Sequence, residues 1–276
     1  MRFAICQELY EDIDWSEQCR LIAEAGYTGI ELAPFTLSTT PEIVTDAELD
    51  RMRETADSFG LTIIGLHWLL AKTEGLHLTS PDADIRRRTA EYLGSLSRIC
   101  HRLGGTVMVH GSPQQRDLMP GVSMEEAMGF AADVYRQALP TFAEHSTVLC
   151  FEPLTERETN FINTCEQAMM LIREVDHPNL QLHQDVKAML GAECDPLPEV
   201  IHRYRDVVRH FHVNDTNLLG PGMGETDFEP ILRALLDTEY QGWVSVEVFD
   251  YTPGAQRIAV ESLRYMNSVL DKIRSV

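Results

Sequence analysis

Four residues stand at the ends of apolar runs, where their types could act together: Glu152, Asp185, His212 and Glu247. Each run alternates. Leu149 and Phe151 fall on one side of the first, Cys150 and Glu152 on the other. Asp185 falls with His183 and Gln181, opposite Leu182. Phe211 and Val213 oppose His210, His212 and Asn214, and Val246 and Val248 oppose Ser245 and Glu247. Side chains of a strand alternate between its two faces, so the greasy face can pack on helices while the polar face points elsewhere. Three carboxylates converging there without a partner would repel and raise one another's pKa values. No Lys or Arg occupies the matching positions. One divalent cation resolves the conflict. Three carboxylates and an imidazole suit Mn2+ best, with Mg2+, Co2+ or Zn2+ as alternatives.

Such convergence needs elements that aim all four residues at one axis. Strand-like runs occur at 3–6, 29–33, 62–67, 106–110, 148–153, 180–185, 210–214 and 244–249. Helical patterns lie between and after them, at 14–25, 45–59, 81–103, 123–145, 164–175, 197–207, 227–236 and 253–273. The patterns at 45 and 123 open with Thr-Asp-Ala-Glu and Ser-Met-Glu-Glu, the signature of a capping box. Eight alternations in a chain of 276 residues predict an α/β fold, a single-domain (β/α)8 barrel over 1–276. The rival, a doubly wound open sheet, usually carries a glycine-rich first turn for phosphates. Here that turn reads Cys6-Gln7-Glu8-Leu9-Tyr10. In a barrel the active site lies at the C-terminal strand ends, which adds His67, His110 and the polar segments that follow them.

Composition narrows the classes. With 43 acidic and 23 basic residues the net charge is −20, a surface that repels nucleic acid and anionic membranes. The longest apolar stretch, 61–71, is far short of the roughly 20 residues a spanning helix needs. The N-terminus has no apolar secretory segment, and the six cysteines show no CxxC spacing, so a cytoplasmic protein with reduced thiols is expected.

The chain resembles the xylose-isomerase-like barrel superfamily, which includes sugar isomerases, ketose 3-epimerases, inosose isomerases and dehydratases, and endonuclease IV. The residues that carry the resemblance are Glu152-Pro153-Leu154 with Glu158 six positions on, Asp185, and His-Phe-His-Val-Asn-Asp at 210–215. Gly-Pro-Gly-Met-Gly at 220–224 and Val-Ser-Val-Glu-Val-Phe at 244–249 complete them. The group of sugar phosphate isomerases and epimerases is the nearest in pattern. The resemblance implies one divalent ion on Glu152, Asp185, His212 and Glu247, the two glutamates serving also as catalytic acid and base. It places Glu158 and Asn160 at the substrate. Where the epimerases carry a His beyond the strand-6 Asp this chain has Ala188, and Thr216-Asn217-Leu218-Leu219 replaces a segment bearing an Arg. Lys187 and Arg116 are the expected substitutes for handling substrate, with Arg116 and the 220–224 loop as a candidate phosphate holder. His67 and His110 are expected to face substrate or to hydrogen-bond at the rim. Endonuclease IV needs an Asp-x-His pair after strand 7 that is absent here, which sets the nuclease reading aside.

The implied activity is that of a divalent-metal-dependent sugar, or sugar phosphate, isomerase or epimerase. One glutamate removes a proton next to a carbonyl, the cation stabilises the enediolate, and the proton returns. A lyase or dehydratase acting on a keto-sugar or keto-inositol is the alternative, and an inert binding subunit a weaker one. The expected partner is a small-molecule carbohydrate, with no nucleic acid and no membrane; a homo-oligomer is compatible with this reading.

Overall fold

The computed structural model describes residues 1–275. Its strands are β1 (Arg2–Cys6), β2 (Gly29–Leu32), β3 (Thr62–Leu66), β4 (Val107–His110), β5 (Val148–Phe151), β6 (Leu180–Asp185), β7 (Val208–Val213) and β8 (Trp243–Val246). They pair in chain order and in parallel, and β8 closes on β1. The closed eight-stranded barrel is the fold the alternation predicts.

Helices α1 (Trp15–Ala25), α2 (Asp46–Ser58), α3 (Ala83–Leu103), α4 (Met124–His145) and α5 (Cys165–Val175) surround it, followed by α6 (Val186–Ala192), α7 (Leu197–Tyr204), α8 (Glu229–Asp237) and α9 (Ala255–Arg274). Capping boxes form at Thr45 and Ser123, as their sequences predict. The structure adds one helix to the predicted set, α6, directly after β6. Its cause is local: the Asp185 carboxylate accepts a hydrogen bond from Ala188 N at 2.7 Å, capping the new helix while ending the strand.

Two apolar layers follow from strand alternation. The large one lies between the sheet and the helices and includes Leu149, Phe151, Leu182, Phe211, Val213, Val244 and Val246. A small one, Val107, Val109 and Cys150, fills the barrel beside β4 and β5. His183, Asp185, His210 and His212 take the same inward direction as Cys150, one or more layers higher. The barrel wall thus presents Glu152, Asp185, His212 and Glu247 at its C-terminal mouth.

Candidate metal centre

Glu152 follows β5, Asp185 ends β6, His212 lies near the end of β7 and Glu247 follows β8. One ligand atom from each lies within 4.8 Å of the other three, and all four side chains are buried. This is the convergence expected from the alternation of four strands. Each member is held. A Cβ on Gly111 would stand 1.9 Å from Glu152 Oε2, so the absence of a side chain at 111 makes room for that carboxylate. Asp185 Oδ1 caps α6, and Oδ2 accepts from Asn214 Nδ2 at 2.5 Å. His212 Nε2 lies 3.2 Å from Glu31 Oε2, and its Nδ1 lies 3.2 Å from Glu247 Oε2. The other Glu247 oxygen, Oε1, lies 3.0 Å from His67 Nδ1, whose Nε2 meets Glu8 Oε2 at 2.9 Å.

The two glutamates sit in opposite electrostatic settings. Burial pushes the Glu152 carboxyl well above the usual range, and repulsion from Glu247 and Asp185 adds to the shift. Burial, partly relieved by Lys187 and reinforced by Glu247, raises Asp185 to about 6. Burial also works against ionised Glu247, but His212 and His67 outweigh it and hold its carboxyl well below the usual range. Against burial, Glu8 and then Glu247 raise the His67 imidazole, and Glu31 and then Glu247 raise that of His212. Three carboxylates and one imidazole sharing a buried volume, one carboxyl strained towards its neutral form, fit a divalent cation. His212 turns Nδ1 to the Glu247 side and Nε2 to Glu31, so Nδ1 is the nitrogen that would meet a cation; a carboxylate behind a ligating imidazole is the usual support for such a site.

Sequence reasoning missed that support. Glu31 accepts Nε2 of both His210 (2.9 Å) and His212. Its signal was present, since Glu31 alternates with Ile30 and Leu32 in the second strand run. Glu8 carries no such pattern, because it lies in a single turn, Glu8–Tyr10, after β1.

The expected substrate residues divide. Lys187 and Glu158 stand at the mouth, Nζ to Oε1 at 2.6 Å, and line a cavity of about 460 Å3 with Thr155, Gly191, Thr216 and Leu218. The Lys187 ammonium also lies over the Phe249 ring, 4.2 Å from its centroid. His67 is committed to the two glutamates above, not to open space. Asn160 is exposed, and its Oδ1 accepts from Leu118 N at 2.7 Å. His110 and Arg116 are corrections. On β4 it is Val107 and Val109 that face the barrel interior, so His110, paired with Phe151, turns outward to the helices. There its Nδ1 meets Tyr135 OH at 2.9 Å, and burial, with Arg116 adding to it, lowers the imidazole to about 3. Arg116 is fully buried over Phe151, donating to Glu152 O at 2.6 Å and Ile162 O at 3.0 Å. It braces the backbone beside Glu152 and offers no open face to a phosphate. Within the 220–224 loop, Gly224 packs on Asp215, whose carboxylate accepts from Thr226 Oγ1 at 2.7 Å, so an internal anion occupies that turn.

A family model described as xylose isomerase-like TIM barrel matches residues 19–269. A D-psicose 3-epimerase of Ruminiclostridium cellulolyticum is 25% identical over 243 residues, 86% of this chain and 79% of that protein. A 3-dehydro-D-guloside 4-epimerase of Escherichia coli is 31% identical over 125 residues, 45% of this chain and 47% of its own length. Among solved structures, that of a D-psicose 3-epimerase in the presence of D-fructose superposes with a TM-score of 0.85 at 20% identity, covering 98% of this chain and 99% of that one. Among the described residues, no helix is long and apolar enough to cross a membrane.

Proposed function

The chain belongs to the xylose isomerase-like TIM barrel family, and within it we propose that the protein is a divalent-metal-dependent epimerase or isomerase of a sugar or sugar phosphate. The observation that carries this is the buried Glu152–Asp185–His212–Glu247 convergence. The relatives' names add chemical direction. A 2-ketose inverted at C3 and a 3-dehydro sugar inverted at C4 both change configuration at the carbon beside a carbonyl. Acidity of that C–H is what the two reactions share.

Glu152, Asp185, His212 and Glu247 would hold one divalent cation, Mn2+ best by donor type, with Mg2+, Co2+ or Zn2+ as alternatives. When bound, it supplies Lewis-acid polarisation of the sugar carbonyl. Proton movement belongs to the glutamates. Glu247, kept ionised by His212 and His67, removes the proton beside the carbonyl. Glu152 reaches in from β5, three strands away around the ring, and its environment favours the protonated form, so it is placed to return a proton to the opposite face. Return to the opposite face of the same carbon gives the epimer; return to the neighbouring carbon gives the isomer. Lys187 and Glu158, at the rim, are the substrate-binding pair this reading favours.

The test is a panel of ketoses, keto-acids and inososes with Mn2+, run in D2O. Carbon-bound deuterium next to the carbonyl in recovered substrate or product is the expected result. Clean turnover without such deuterium and without a primary isotope effect from α-deuterated substrate refutes enolisation. A new enone absorbance assigns elimination instead.

A further inference from the structure

We propose that Glu8 and His67 are a positioning pair, clamping one oxygen of the Glu247 carboxylate so that the other is presented to the centre of the barrel mouth. The inference rests on the reading of Glu247 as a metal ligand and base. It starts from a chain of three buried groups: Glu8 Oε2 to His67 Nε2 at 2.9 Å, and His67 Nδ1 to Glu247 Oε1 at 3.0 Å. Glu8 is 2% exposed, His67 0% and Glu247 1%. A buried carboxylate is costly unless it is matched. His67 is the hydrogen-bond partner of Glu8, whose second oxygen, Oε1, meets none. A glutamate kept there at that cost serves the imidazole it faces.

The clamp matters because the other contact to Glu247 is not available to a loaded site. Its Oε2 faces His212 Nδ1 at 3.2 Å. That nitrogen is the one His212 has left for a cation, since Nε2 is taken by Glu31. Once His212 ligates, His67 remains the hydrogen-bonding side chain that fixes Glu247. Glu152 has no equivalent: its nearest imidazole, His183 Nε2, is 3.9 Å away. The His67 ring is itself held at 5.7 Å from Trp68, whose backbone adopts φ +52°, a left-handed state costly for an aromatic residue. Strain at this point locates the turn that sets His67 between the two glutamates.

The experiment separates the two ring nitrogens. In His67→Asn an amide stands near the position of Nδ1 and keeps the bond to Glu247; in His67→Gln it stands near Nε2 and keeps only the bond to Glu8. Mn2+ alone is titrated into the metal-free full chain. His67→Gln is expected to weaken Mn2+ binding by about 10-fold or more, and Asn by much less, in the range by which outer partners tune metal sites. With a turned-over sugar, kcat should fall in the same order while KM changes little. Glu8→Gln, isosteric and still an acceptor, should show a smaller loss in the same direction, and it decides the matter if the His67 variants do not fold. Crystal structures of metal-free His67→Gln and Glu8→Gln should show the Glu247 carboxylate displaced. Equal Mn2+ affinity in all variants, or Glu247 unmoved in those crystals, overturns the pairing. Wild-type protein that binds no Mn2+ refutes the metal reading instead, and the position of Glu247 in the variant crystals then decides this inference alone.

Discussion

Replacing Glu152 by Gln should stabilise the metal-free protein while destroying its activity. Ligand atoms of Glu152, Asp185 and Glu247 lie within 4.8 Å of one another, where two unit charges at an effective dielectric of about 20 repel by about 3.5 kcal/mol. The folded protein relieves part of this by favouring the protonated form of Glu152, its carboxyl raised well above the usual range by burial first and by Glu247 and Asp185 second. The sign follows from proton counting. Between 4.5 and the raised folded value, the folded state binds the proton that the unfolded state has released, so stability falls as pH rises. Gln has the shape of that protonated carboxyl and no proton to hold. In urea unfolding with EDTA, Glu152→Gln should therefore be more stable than wild type at pH 7, with the gap closing near pH 4.5. Saturating Mn2+ should reverse the order, since a ligand stabilises only the state that binds it. A variant less stable than wild type in EDTA at pH 7, or a gap that does not change with pH, refutes the electrostatic account of this site.

Glu247→Gln should leave the circular dichroism spectrum unchanged and reduce kcat by about 10²–10⁴-fold, the usual contribution of a general base; retention of more than a tenth of wild-type turnover counts against that role. Gly111→Ala places a Cβ 1.9 Å from Glu152 Oε2, so it should displace that carboxylate and depress both Mn2+ affinity and turnover, readable by calorimetry and sugar analysis. His110, lowered to about 3, should make the protein acid-sensitive: the unfolded chain protonates it below about 6.5 and the folded one does not, so stability is lost as pH falls from 6.5 towards 3, at about 1.4 kcal/mol per unit. His110→Gln should flatten that part of the urea-midpoint profile, and an unchanged slope places the titration elsewhere.

The barrel and the four-residue centre were legible because they depend on local periodicity. Period-2 alternation on β5 to β8 separates Phe151 from Glu152 and Phe211 from His212, and a closed parallel barrel turns such polar faces towards one axis. Capping boxes at Thr45 and Ser123 likewise need only residues three apart. What the tertiary structure decided depends on register and on contacts across the ring. On β4 both faces are apolar up to His110, so alternation could not tell inside from outside; pairing of His110 with Phe151 settles it and sends the imidazole to Tyr135. Arg116 reads as a loop charge in sequence, yet it is buried because two backbone carbonyls, Glu152 O and Ile162 O, come together to receive it. Glu8 and Glu31 lie 144 and 121 positions before Glu152, on the opposite half of the barrel, and nothing in their neighbourhoods signals His67 or His212. Ring closure brings β8 back to β1 and so places these carboxylates behind the imidazoles. A local pattern fixes which face a side chain takes, whereas the partner it meets across a closed sheet is fixed only when the strands register.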